Sequence, residues 1–218
     1  MKKRKNIITV AIDSPAAAGA GTQAKLISKH YNLFYLDTGK IYRYIGELKL
    51  KNFKKFSYNL INRKIMNLKL SYLNNKSLLS NDVAMSASEV AKDKKIRNIV
   101  HKFQQRCAYN PPKKYKGSIL DGRDIVTVQV RDAMFKFYIT ASLKIRAKRR
   151  YIEYKELNKK ISYKEVLKSL RIRDKSDKER KYGPLKKTKD SILINTTKLS
   201  KKACFNKIKA IMDKKLNN

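Results

Sequence analysis

The segment Ile7 to Ile12, IITVAI, is a short β-branched apolar run that ends at Asp13. Small residues from Ser14 to Thr22 follow, and then an apolar repeat of helical period. That order predicts strand, loop, helix. Leu33 to Leu36 closing at Asp37, Ile119-Leu120 closing at Asp121, Phe135 to Ile139 and Ser191 to Ile194 predict four further strands, with helical patterns between them. Alternation of this kind predicts an α/β fold, a five-stranded parallel sheet covered by helices on both faces, with ligands at the carboxyl ends of the strands. Asp13, Asp37 and Asp121 stand at three of those ends. From Asn52 to Asn81 the pattern loosens into short Leu/Tyr/Ser-rich pieces around Asn74-Asn75, which predicts a small antiparallel insert. The basic run Arg146 to Lys160 spans a helix end and a polar turn, and predicts a mobile flap.

Length changes this picture little: 218 residues predict one domain, 1–218, with an inserted piece. Charge changes it more. Lys and Arg number 54 against 17 Asp and Glu, a formal charge of +37, so the favoured partners are anionic. A hydrophobic fraction of 42% with 13 Tyr and 7 Phe is enough to fill a core, which argues against a disordered chain. The lysines are dispersed and come with abundant Asn, Ile and Tyr and no Trp, the bias that A/T-rich codon usage produces. Specific nucleic-acid binding is therefore not expected, although a basic nucleic-acid-binding protein is one alternative that the charge allows. No run approaches the roughly 18 apolar residues of a membrane span, and the basic start Met1 to Lys5 precedes only a short apolar stretch. A cytoplasmic monomer without membrane contact is expected. Cys107 and Cys204 form no CxxC or His/Cys cluster, which predicts two free buried thiols and no zinc site.

The turn after the first strand reads Ser14-Pro15-Ala16-Ala17-Ala18-Gly19-Ala20-Gly21-Thr22. A phosphate loop GxxxxGK[ST] gathers backbone N–H groups at a helix N-terminus and adds a lysine. Gly19, Gly21 and Thr22 fit, while Ser14 replaces the first glycine and Ala20 the lysine. This segment alone fits an anion cradle and an ordinary tight connection equally.

Three further segments separate those readings. They are Leu36-Asp37-Thr38-Gly39-Lys40-Ile41-Tyr42-Arg43, then Asp121-Gly122-Arg123-Asp124-Ile125-Val126-Thr127, then Arg171 to Arg180 followed by Pro184-Leu185 and Asp190. In order and spacing they resemble the LD[ST]GxxYR, DGRDxGT and RxxRDxxDxxRxxxPLxxAxD patterns of the bacterial cytidylate kinases, which are nucleoside monophosphate kinases. Apart from the resemblance, Arg173, Asp177 and Arg180 fall at i, i+4 and i+7 and share one helix face. A solvated salt-bridge face has the same spacing. Arg43 and Arg123 follow strand ends that the topology aims at the same cleft, and several guanidinium forks suit a phosphate dianion.

The resemblance implies a P-loop kinase with a monophosphate-binding insert at 52–110 and a short lid at 149–163, transferring the γ-phosphoryl group of ATP to CMP or dCMP with Mg²⁺. It implies ATP binding by Ser14 to Thr22 and Arg149, with Thr22 toward the metal and Asp121 holding hydrating water. For CMP it implies Thr38, Arg43, Arg123 and Arg180 on the phosphate, Ser88 and Asp124 on cytosine, and Arg173 and Asp177 toward the ribose. An acceptor phosphate is already a nucleophile near neutral pH, so neither His30 nor His101 is needed as a base. Catalysis is expected from Arg123, Arg173 and Arg180 and from a cation replacing the lysine absent at Ala20. Lys25, Lys40 and Arg149 are the candidates, and Lys40, beside Thr38 and Gly39, is the one chosen. The chain departs from the family pattern at Gln104-Gln105-Arg106, where a Gln-Arg pair is usual, and at Val126, usually glycine. A catalytically weakened nucleotide-binding homologue and a kinase for UMP or a non-nucleotide acceptor are the other readings.

Overall fold

The computed structural model describes residues 6–158 and 160–217. The basic start at residues 1–5 and Lys159 of the expected flap lie outside the described residues. Strands β1 (Ile8–Asp13), β2 (Leu33–Asp37), β3 (Gly117–Gly122), β4 (Phe135–Thr140) and β5 (Ile192–Asn195) form one sheet. Its order is β2-β3-β1-β4-β5 and every pairing is parallel. The five strands expected from the apolar runs are the five found.

The helices are α1 (Ala20–Tyr31), α2 (Thr38–Lys51), α3 (Tyr58–Met66), α4 (Asn81–Val90), α5 (Lys94–Tyr109), α6 (Leu143–Glu156), α7 (Tyr163–Glu179) and α8 (Lys201–Leu216). Successive residues of β1 point to opposite faces, so Ala11 packs with Leu36, Ile41, Ile45, Ile61 and Val100 on one side. Val10 and Ile12 pack on the other with Ile27, Phe137, Ile194, Ile208 and Met212. Cys107 and Cys204 are free and buried in these two cores, as expected. A third, smaller cluster joins α6 and α7 through Ala147, Val166 and Leu170, and it includes Ala16 of the turn after β1. Among the described residues no helix is long and apolar enough to cross a membrane.

The segment between Asn52 and Asn81 corrects an expectation: it is not antiparallel strand. It holds α3 and short 3-10 turns at Phe53–Lys55, Leu70–Asn74 and Lys76–Leu79. Ile61 and Ile65, four apart, bury one face of α3, and the Ser57 hydroxyl accepts from Leu60 N–H to cap it. Beyond α3, Leu73 and Leu78 each bury one apolar side chain from a single tight turn, a spacing that repeats neither every two residues nor every 3.6. The expected flap is the last turns of α6, a turn at Leu157 and Asn158, and the start of α7.

Candidate active site

The carboxyl ends of β1, β2 and β3 and the N-termini of α1 and α2 meet at one edge of the sheet. The turn from Ser14 to Gly19 leads into α1, whose first turn carries no side-chain cap and no acidic residue. Backbone N–H groups at a helix N-terminus left in this way favour an anion. Gly19 has φ 93°, which glycine adopts freely. Ala17 has φ 60°, a left-handed conformation that costs an alanine about 1–2 kcal/mol. Ser14 is buried, and its N–H donates to Gly122 O (3.0 Å), tying the turn to β3. Ala20, in the lysine position, is buried at 4% exposure, while Thr22 is exposed.

Two arginines of α6 reach the turn. Arg146 donates to Ala16 O (3.1 Å) and grips the Asp174 carboxylate with both Nη atoms (3.0 and 2.5 Å). Arg149 lies over Gly19, its Nη1 3.8 Å from where a side chain there would begin. It is held by Thr196, donating to Oγ1 (2.9 Å) and to the backbone oxygen (2.8 Å), and Thr196 Oγ1 donates in turn to Ala18 O (3.0 Å). The other two candidate cations stand elsewhere. Lys40 donates to Asn74 Oδ1 (3.3 Å), so its ammonium is engaged with the 3-10 segment and not with the turn. Lys25 is exposed on α1, close enough to Asp121 to help lower its proton affinity.

Helix α7, whose Val166 and Leu170 pack with Ala16 of the turn, also carries a charged face. Arg123 Nε donates to Asp177 Oδ2 (2.7 Å), and Arg173 and Arg180 lie 4.0 and 3.7 Å from the same carboxylate. Burial alone would raise the Asp177 carboxyl, but Arg123 and Arg173 outweigh it and hold it below its ordinary value. Arg173 keeps about a third of its side chain open. Burial and then Arg123 pull it down to about 10, with Arg43 and Arg150 adding to the effect against Asp177. Burial and then Arg150 likewise lower Arg43, whose Nη1 donates to Leu78 O (2.7 Å). Cations that depress one another across one cleft are relieved by an anion bound between them.

Thr38 is buried, and its hydroxyl donates to Asp121 O (2.7 Å). Asp124 is buried against the Arg97 guanidinium, with Arg180 Nη2 3.6 Å away. Ser88 is exposed on α4, where its hydroxyl donates to Ala84 O (3.1 Å) within its own helix. Arg106 lies over the Phe103 ring at 5.2 Å, while Gln105 Nε2 approaches Gln129 O at 3.5 Å. Val126 is accommodated in the core, where its N–H donates to Asp13 Oδ2 (3.1 Å).

Residues that sequence reasoning passed over are Arg97, Gln129, Arg146 and Arg150. Arg97 lies on the buried stripe of α5 together with Ile96, Val100 and Phe103, and Gln129 is buried within the apolar run Ile125 to Val130. A polar residue inside an apolar stripe was the available signal, because buried polar groups need partners.

Hard oxygen donors also gather here. Burial and the like charge of Asp37, its partner in register, raise Asp121 to about 8. Its Oδ1 is buried without a hydrogen-bond partner among the described residues, and Oδ2 lies beside Gly21, one residue before Thr22. Carboxylate and hydroxyl oxygens of this kind fit Mg²⁺, which keeps several waters and takes few protein ligands.

The family model for cytidylate kinase matches residues 10–214. The chain belongs to the cytidylate kinase family. The cytidylate kinase of Thermosipho melanesiensis is 38% identical over 216 residues, covering 94% of this chain and 97% of its own. That of Bartonella henselae is 38% identical over 207 residues, covering 94% of each. A crystal structure of an uncharacterized protein from Eubacterium ventriosum, 17% identical, aligns over 94% of this chain and 98% of its own with a TM-score of 0.54, which bears on the fold alone. Membership of the cytidylate kinase family agrees with the resemblance carried by the three motifs.

Proposed function

We propose that this chain is an ATP-dependent cytidylate kinase that phosphorylates CMP and dCMP, and that it works without a P-loop lysine because Arg149 supplies the cation. The observation that carries the reading is the convergence of Arg123, Arg173 and Arg180 on Asp177, with Arg43 close enough to depress Arg173, beside an uncapped helix N-terminus. Phosphoryl transfer asks the protein mainly to align two anions, neutralise developing charge and exclude water.

On the donor side, N–H groups from Gly19 to Thr22 hold the ATP phosphates, and Arg149 takes the place Lys40 was expected to fill. Thr22, with Asp121 through water, would hold Mg²⁺, which when bound offsets charge on the donor phosphates. On the acceptor side, Arg43, Arg123 and Arg180 grip the CMP phosphate and bring one of its oxygens into line. Thr38 contributes through the N-terminus of α2, since its hydroxyl proton is already given to Asp121 O. Arg173 lies between the two phosphates, and Asp177 faces the ribose. Asp124 accepts from the cytosine exocyclic amine, which uracil lacks, and Ser88 plays at most a peripheral part. Segment 52–110 carries the acceptor and 149–163 closes the donor side. Monomeric state and cytoplasmic location belong to the same proposal.

A coupled assay with ATP, Mg²⁺, the four ribonucleoside monophosphates and dCMP tests it. CMP and dCMP are the expected acceptors, and preference for UMP or AMP overturns the reading. ATP binding without transfer to any monophosphate would identify a nucleotide-binding relic.

A further inference from the structure

Asp124 sits in a setting that decides which of its two oxygens can meet a ligand. Residues Ile125–Gln129 form one π turn, in which Gln129 N–H donates to Asp124 O (3.2 Å) and Val130 N–H to Ile125 O (2.7 Å). The wider turn brings Gln129, five residues on, back over Asp124, while Val128 N–H, four residues on, also donates to Asp124 O (3.0 Å). Gln129 Nε2 accordingly donates to Asp124 Oδ2 (3.0 Å). Arg97 Nη2 donates to the same oxygen. Arg180 Nη2 lies 3.6 Å from Oδ1, beyond a hydrogen bond, and that nitrogen is itself buried without a hydrogen-bond partner among the described residues. One carboxylate oxygen is thus filled by two donors while the other keeps its accepting capacity on the arginine side.

The Gln129 amide is fixed in turn. Its oxygen faces His101 Nδ1, and its nitrogen faces a carboxylate. The reversed amide would place its oxygen against Asp124 Oδ2, so His101 carries its hydrogen on Nδ1 and donates. Gly183, at φ 58°, closes the far side, where any side chain would run into Arg97 Nη2 and Asp124 Oδ2.

We infer that Gln129, oriented by His101, is a specificity-determining positioning residue that holds Asp124 with one oxygen turned to the base, so that the site takes a nucleobase bearing an exocyclic amine and rejects one bearing a carbonyl there. This rests on the assignment of Asp124 to base reading made above. Arg97 alone would leave the carboxylate free to swing about one contact. With Gln129 on the same oxygen, rotation breaks two hydrogen bonds, and the accepting edge stays where a donor on the ligand meets it.

The test is the ratio of kcat/KM for CMP to that for UMP in four variants. Gln129→Met keeps the volume and removes the donor, and is expected to lower the ratio about tenfold, through a raised KM for CMP, with kcat at saturating CMP held within about twofold. His101→Leu is expected to lower it by a smaller factor. His101→Asn, whose amide nitrogen can take the place of Nδ1–H, is expected to restore most of it, a rescue that a packing role would not give. Asp124→Asn separates the two layers. If it abolishes discrimination while Gln129→Met and His101→Leu leave the ratio at the wild-type value, the positioning role is wrong and base reading by Asp124 stands. If Asp124→Asn also leaves the ratio unchanged, base reading lies elsewhere and both fall. Should Gln129→Met not fold, the His101 pair decides, and equal ratios for Leu and Asn overturn the inference.

Discussion

The two halves of the cleft are built differently. On the acceptor side the arginines come from motifs contiguous in sequence, Arg43 from the first turns of α2, Arg123 from the end of β3, Arg173 from α7 and Arg180 from its C-terminal cap, and the last three share Asp177 as a counter-charge. On the donor side the local segment supplies a backbone cradle without a cation, and the guanidinium beside it arrives from α6, well over a hundred residues away in sequence, pinned by Thr196. A phosphate site can thus be divided into geometry, which must be local because adjacent N–H groups converge only within one turn, and charge, which any element within reach can deliver.

The largest expected effect breaks the donor half. Arg149→Ala should lower kcat by about 10²–10³, the range for removing one preorganised transition-state donor, while KM for CMP stays within about twofold. Steady-state kinetics at saturating ATP check it. On the acceptor half, Arg123→Ala or Arg180→Ala should lower kcat/KM for CMP by about ten- to a hundredfold, since a hydrogen bond to a charged group is worth about 1.5–3 kcal/mol. Arg173→Lys should also be impaired, because a point charge does not reproduce the fork. Unchanged kinetics in both alanine variants would show that the arginines do not share one phosphate. Lys40→Ala sharpens the contrast: with its ammonium on Asn74, it should lose less rate than Arg149→Ala.

A separate effect, on stability and not on rate, concerns the floor that both halves share. Burial raises Asp13 to about 7 although Ile125 N–H and Val126 N–H, at 2.6 and 3.1 Å, favour its charged form. The unfolded chain releases this proton near pH 4 and the folded chain near 7. The contribution of Asp13 to stability therefore falls as pH rises through that window and is level on either side. Asp13→Asn removes the slope, so urea unfolding should find the variant gaining on the wild type from pH 4 to 8. A constant difference would show that Asp13 titrates normally.

The strands were legible because runs such as Ile7 to Ile12 carry their burial in the residue types themselves. The insert was not, because 3-10 turns around Leu73 and Leu78 leave no period to read. The acceptor arginines were legible as spaced motifs. Lys40 stands beside Thr38 and Gly39, where the sequence puts a strand end at the cleft, yet the direction of its side chain depends on Asn74, a contact that no local pattern encodes. Arg146, Arg149 and Arg150 lie in one basic helix where charge alone does not rank them, and only the packing of α6 on the turn separates Arg149 over Gly19 from Arg146 on Asp174. His101 looked dispensable because it has no place as a base. Its contact with Gln129 arises from the π turn, which the apolar run Ile125 to Val130 did not announce.

Whether a cation from α6 does the work of the missing P-loop lysine is decided by a double-mutant cycle of Arg149→Ala and Ala20→Lys, read as kcat at saturating ATP and CMP. Strong non-additivity is expected: Ala20→Lys changes the wild-type rate little, but in the Arg149→Ala background it restores the rate by about tenfold or more. Additive effects, or an Arg149→Ala rate equal to that of the wild type, would contradict it.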